Sequence, residues 1–145
     1  LIYFTADLHF GHENIIRYCN RPFTSAYEMD AVLMSNWNAA INPGNEVYIL
    51  GDLTMKSPAQ AHEILSSLNG RKYFIRGLFH YPITEWDGFF RDAIHLYGHI
   101  HNSFASLARV DGAGFAFNVG VDCNDFQPVS IEKILKMFHA KKALL

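Results

Sequence analysis

The chain is poor in the features that mark several protein classes. It has two cysteines in 145 residues, Cys19 and Cys123, and they are far apart. That excludes a disulfide framework and a thiolate zinc site, and fits reduced thiols in a cytoplasm. It has no excess of one charge: 12 Lys and Arg stand against 14 Asp and Glu, a net charge of −2. No basic surface advertises nucleic acid, although a nucleic-acid substrate is not excluded on that ground. No apolar run approaches the roughly 20 residues that span a bilayer, so no membrane partner is expected. The opening "LIYFTADLHF" lacks a basic segment and meets an aspartate at position 7, so it is not read as a signal peptide. Repeats, low-complexity tracts and linkers are also missing. What remains is half hydrophobic, enough for one globular domain with its own core.

Strands and helices alternate along that domain. "LIYFT", "EVYIL" (46–50), "KYFI" (72–75), "AIHLY" (93–97) and "FAFNV" (115–119) read as buried strands. Ser25 and Glu28 form a capping box, after which Met29, Val32, Leu33, Trp37, Ala40 and Ile41 recur at helical spacing. "NPGN" (42–45) is a turn. Ser57 and Pro58 open a helix with Ala61, Ile64, Leu65 and Leu68 inward, stopped by Gly70. Ser130 caps a last helix with Ile131, Ile134, Leu135 and Phe138 inward. The pattern predicts an α/β or layered α-β-β-α domain.

The chemistry lies just beyond the strands. "ADLHFGH" supplies Asp7 and His9, "GD" supplies Asp52, "LFH" supplies His80, and "GHIH" supplies His99 and His101. Loops beyond the carboxyl ends of strands converge over a rigid scaffold, which is where sites form. D-x-H and H-x-H spacing lets two side chains point to one side if the segment is extended. Two aspartates and four histidines are too many for one tetrahedral ion and suit two ions sharing a carboxylate. Mn, Fe, Zn and Ni all accept such a set. A lone histidine after a strand is ordinarily a satisfied polar residue, and a lone Gly-Asp is ordinary turn chemistry; it is the ordered set that favours metal.

One strand breaks the pattern. "KYFIRG" runs directly into "LFHYP", and a single glycine is too short for a crossover or a hairpin. A segment is therefore expected to be missing between Gly77 and Leu78, as an omitted loop or a genuine deletion.

In order and strand context, Asp7-Leu8-His9, Gly51-Asp52, His80 and Gly98-His99-Ile100-His101 resemble the calcineurin-like metallophosphoesterase superfamily, most of all its small single-domain bacterial and phage members. The resemblance spans nearly the whole chain. It implies a four-layer α-β-β-α sandwich over residues 1–145 and a dimetal phosphoester hydrolase, with a metal-bridging hydroxide attacking phosphorus in line. It places Asp7, His9 and His101 on one ion, His80 and His99 on the other, and Asp52 between them. Manganese heads the candidate ions, with iron, zinc or nickel as alternatives. The family's next motif, G-N-H-D or G-N-H-E, should begin at Arg76-Gly77. Its asparagine ligand and its general-acid histidine have no counterpart here. If that absence is genuine, the alternative is a catalytically impaired metal-binding or protein-interaction domain on the same fold. His12, Asn14, Arg17 and Arg76 are candidate substrate contacts, each with a plain structural alternative: a helix-start residue for His12, a solvated helix face for Arg17. Asn118, Asp122 and Asn124 either rim the site or serve a turn. The substrate is a phosphoester, with nucleotide and nucleic acid among the candidates, and the expected location is cytoplasmic.

Overall fold

A computed structural model describes residues 1–75, 93–101 and 115–143. Arg76, the Gly77–Leu78 join, His80, Tyr81 and Trp86 lie outside the described residues. The fold is mixed α/β. Three short strands, β1 (Ile2–Thr5), β2 (Glu46–Ile49) and β3 (Arg71–Phe74), run parallel in the order β3-β2-β1, and β6 (Val129–Ser130) pairs antiparallel on the far side of β1. A second sheet joins β4 (Ile94–Tyr97) to β5 (Phe115–Asn118) in parallel. Among the described residues the helices are α1 (Glu13–Tyr18), α2 (Ala26–Ala40), α3 (Pro58–Ser67) and α4 (Ile131–Lys142), and a 3-10 turn covers Val121–Cys123.

Alternation along the strands divides the molecule into two cores. Val47 and Ile49 face one way and pack with Met29, Leu33, Trp37 and Ile41 from α2 and its end. Phe4 and Leu50 face the other way, toward Phe115, Val119, Val129 and Ile134. On that second face Phe4, Tyr48 and Tyr73 stack across three strands, with ring centroids 5.6 and 5.0 Å apart. Phe115 meets Phe138 of α4 edge-on at 5.5 Å.

Helix α2 follows from its sequence. Met29, Leu33 and Trp37 recur every four residues and are buried, one stripe of a helix. The Ser25 side chain accepts from the Glu28 amide. The expected box is only half made, because the Glu28 carboxylate turns instead to the amide and hydroxyl of Thr24. The helix stops at Ala40, three residues before Pro43, which constrains its neighbour Asn42. At α3 the box is complete, between Ser57 and Gln60.

Three expectations need correction. Strand β3 is not buried. It is an edge strand among the described residues, with Tyr73, Phe74 and Ile75 exposed. Gly70 does not stop α3, which ends at Ser67. Its φ of +84° instead serves the tight entry to β3, where a Cβ would press on Ile41 and the Asn45 carbonyl. Leu135 is 38% exposed, because the inner stripe of α4 centres on Ile134. No helix among the described residues is long and apolar enough to cross a membrane.

The two sheets meet at the ends of their strands. Ala6 continues β1 into a parallel bridge with Gly120, which continues β5, and the Ala6 amide donates to the Val119 carbonyl. The Val119 amide donates in turn to the Tyr97 carbonyl. The carboxyl ends of β1, β4 and β5 are thereby held side by side.

Trp37 is fully buried and its indole N–H donates to the Asn69 carbonyl at 3.0 Å. Trp37→Ala should cost about 3–5 kcal/mol in urea unfolding; a loss below about 1 kcal/mol would mean that α2 does not anchor the core.

Candidate metal centre

Asp7, His9 and Asp52 come together at this junction. One ligand atom from each lies within 4.8 Å of the others. Atoms around one ion with bonds near 2.1 Å sit ~3–4 Å apart, so a small inward movement would close the trio. A second parallel pairing creates the contact. The His9 amide donates to the Asp52 carbonyl and the Phe10 amide to the Leu53 carbonyl, and Phe10 bridges Thr54. The residues after β1 and after β2 therefore run on together, with His9 Nε2 4.0 Å from Asp52 Oδ2.

The local backbone is not the extended chain expected from the motif spacing. Asp7, His9, His99 and His101 all adopt left-handed φ, at +56°, +54°, +66° and +48°. Such conformations cost non-glycine residues about 1–3 kcal/mol each and gather at functional sites. Each motif thus turns its side chains by repeated left-handed steps rather than by the pleat.

Three glycines shape the space around the Asp7 carboxylate. A Cβ at Gly51 would stand 2.5 Å from Asp7 Oδ1, one at Gly98 would overlap Oδ2 and the Ala6 methyl, and one at Gly120 would press on Asn118 Oδ1 and Asp7 Oδ2. The His99 amide donates to Asp7 Oδ2. A fully buried carboxylate is thus cradled by backbone from three loops. The sequence shows these glycines only as turn residues; their close approach is what the "GD" and "GH" pairs encode.

The histidines take different positions. The His9 ring is buried and stacks on the His101 ring at 5.3 Å, with the His12 ring 5.6 Å away. Burial chiefly, and then the neighbouring His101, depress the His9 pKa from 6.5 to about 4, against an upward pull from Asp52. His9 is therefore neutral at pH 7, the form that ligates metal. His12 begins α1, and its side chain makes no capping hydrogen bond; Nδ1 is buried with no partner among the described residues. The side chain of His99 is exposed. Asn14 and Arg17 bond each other on the exposed face of α1, which is the solvated arrangement weighed for Arg17.

Two residues complete the site from behind. Arg21 is 4% exposed. Its guanidinium donates to the carbonyls of Asp7 (2.8 Å) and Leu8 (3.0 Å) and forms a two-bonded pair with Asp122 (2.7 and 2.8 Å). Asp122 Oδ2 also lies within hydrogen-bond distance of His101 Nδ1, at 2.6 Å. Burial raises the Asp122 pKa, but the hydrogen bonds from His101 and Arg21 outweigh it and hold the carboxyl below its usual range. Asn118 donates to the His101 carbonyl and accepts from the Gly120 amide, while Asn124 donates to the carbonyls of Asn118 and Gly120. Asn118 at the end of β5 and Asp122 beyond it therefore hold His101 in the segment after β4, and Asn124 braces the turn that carries Asp122. No local pattern gives Arg21, in the loop "CNRPF", a role at the site.

No family model matches the chain. It is 34% identical to "Uncharacterized protein MJ1445" of Methanocaldococcus jannaschii over 165 aligned residues, covering 99% of this chain and 94% of the archaeal protein. The chain belongs to the family of MJ1445. Because that alignment is longer than the chain, MJ1445 carries residues with no counterpart here. Part of the chain (52%) is also 35% identical to the Gene 66 protein of Mycobacterium phage L5, covering 37% of the phage protein. The fold is similar to that of the Aquifex aeolicus protein AQ665, described as of unknown function, with a TM-score of 0.69 at 23% identity over 94% of this chain and 98% of that one.

The His9 shift makes stability depend on pH. The folded state disfavours protonated His9, so its contribution is full above pH 6.5 and is lost as pH falls toward about 4. Urea unfolding of the metal-free protein should lose up to about 3 kcal/mol over that window, and His9→Asn should flatten the slope. A wild-type profile no steeper than that of the variant would contradict this assignment.

Proposed function

We propose that this member of the MJ1445 family is a metal-dependent phosphoester hydrolase of the metallophosphoesterase superfamily, with the layers of its fold arranged as an α-β-β-α sandwich. The observation that carries the reading is the Asp7–His9–Asp52 cluster, gathered within 4.8 Å where strand ends meet. The donor set fits divalent transition metals: two carboxylates, a histidine held neutral, and no thiolate. The cradle of three glycines around Asp7 supports the same reading, since a Cβ at any of them would press on the carboxylate. Asp7, His9 and His101 would hold one ion. Asp52, more than half exposed, would be shared between that ion and a second, with His99 and His80 as the further ligands of the second. Manganese leads the candidates, with iron, zinc and nickel as alternatives. When bound, such ions lower the pKa of water and neutralise charge on phosphate.

This chain's own residues do the rest. Gly51, Gly98 and Gly120 put no Cβ against the Asp7 carboxylate, and Arg21 holds the loop that carries Asp7 and His9. His12 and Arg17 are candidate substrate contacts, and a cytoplasmic phosphoester, nucleotide or nucleic acid among them, is the proposed partner. The join of Gly77 to Leu78 favours a second reading, a metal-binding domain with impaired catalysis, because the general-acid histidine of the superfamily has no counterpart.

The test is hydrolysis of p-nitrophenyl phosphate and bis(p-nitrophenyl) phosphate with and without Mn²⁺. We expect metal-dependent turnover above that of free Mn²⁺, and a loss of about 10²-fold or more with Asp52→Asn. Metal binding without turnover would select the impaired domain. Neither binding nor turnover would exclude both readings.

A further inference from the structure

Arg21 and Asp122 stand 101 residues apart in sequence and meet in the interior. A buried ion pair is weak evidence for stability, since desolvation offsets much of its attraction. This one has a more specific arrangement. Each partner also bonds one of the two left-handed motifs, and the guanidinium makes one further contact, to Met29 Sδ at 3.3 Å. The guanidinium donates to the carbonyls of Asp7 and Leu8, in the D-x-H turn. The carboxylate accepts from Nδ1 of His101, in the H-x-H turn.

The chemistry of the second contact fixes a tautomer. Asp122 is 2% exposed and an ionised carboxylate only accepts hydrogen bonds, so His101 Nδ1 must carry the proton. In the neutral ring, Nε2 then bears the lone pair. A histidine that donates one ring N–H to a carboxylate and offers the other nitrogen is the usual arrangement behind a metal ligand, where it sets ring orientation and basicity. The His101 ring also lies on that of His9, a member of the Asp7–His9–Asp52 cluster.

We infer that the Arg21–Asp122 pair is a positioning device for this centre, locking the Asp7-Leu8-His9 turn with its cation and presenting His101 Nε2 to a divalent cation with its anion. The inference rests on the metal-centre reading and adds two residues that touch neither ion nor substrate. A purely structural staple would stabilise the fold without selecting a ring nitrogen or changing affinity in the folded protein.

The test has two parts. In the metal-free wild-type protein, ¹⁵N NMR of the histidine rings should find neutral His101 protonated at Nδ1. The Nε2-protonated tautomer would overturn the inference, whatever the variants do. Calorimetric titration with Mn²⁺ should then show about 10–100-fold weaker binding for Asp122→Ala than for wild type, with folding of the variant confirmed by its melting transition. Mn²⁺ binding by wild type with an unchanged Kd in the folded variant would overturn the positioning role alone. No Mn²⁺ binding by wild type would overturn the metal-centre reading beneath it. If Asp122→Ala does not fold, the tautomer measurement decides.

Discussion

The guanidinium of Arg21 is the constraint on which the candidate centre depends. It lies in the core with almost no exposure, and its donors reach two backbone carbonyls and both oxygens of one carboxylate. A planar fork of fixed donors suits this task in a way that a flexible ammonium does not. Removing either charged partner would leave the other buried and uncompensated, which typically costs about 3–5 kcal/mol. Through Arg21, the loop after α1, the turn after β1 and the 3-10 turn after β5 become one unit. The Phe126 ring under the guanidinium, 5.8 Å from its carbon, adds a favourable face.

Around that unit the backbone is strained where the chemistry is concentrated. The left-handed residues Asp7, His9, His99 and His101 belong to the two motifs that converge on the junction between the sheets. Strain of this kind persists only when the surroundings over-determine it. Here the surroundings are the Ala6–Gly120 and Phe10–Thr54 bridges on either side of the first motif, and the Arg21 and Asp122 hydrogen bonds behind both. Glycines 51, 98 and 120 leave the Asp7 carboxylate its space, so small residues and strained residues are two parts of one solution.

Much of this was legible in the sequence, for physical reasons. The strands are apolar runs bounded by turn residues, and the motifs sit at their ends, so the sequence alone brings Asp7, His9 and Asp52 to one end of the sheet. Helix α2 was readable because its stripe is long and its cap local. Other features depend on tertiary contacts with no local signature. The partners of Arg21 lie far away in sequence or on the backbone, so "CNRPF" reads as an ordinary loop. Asp122 and Asn118 look like turn formers until the buried groups they bond are seen. Strand β6 has two residues, too few to carry a period. The spacing of D-x-H suggested an extended segment, and the left-handed turns show that the same convergence has another backbone origin. Strand β3 has the composition of a buried strand, although among the described residues it lies at the sheet edge with most of its side chains exposed.

The most direct test of the central claim is anomalous X-ray diffraction from crystals grown with Mn²⁺, recorded on both sides of the manganese absorption edge. The account predicts an anomalous peak between the carboxylates of Asp7 and Asp52 and the ring of His9, absent without the metal. Fully ordered Asp7, His9 and Asp52 with no peak between them, at saturating Mn²⁺, would contradict it.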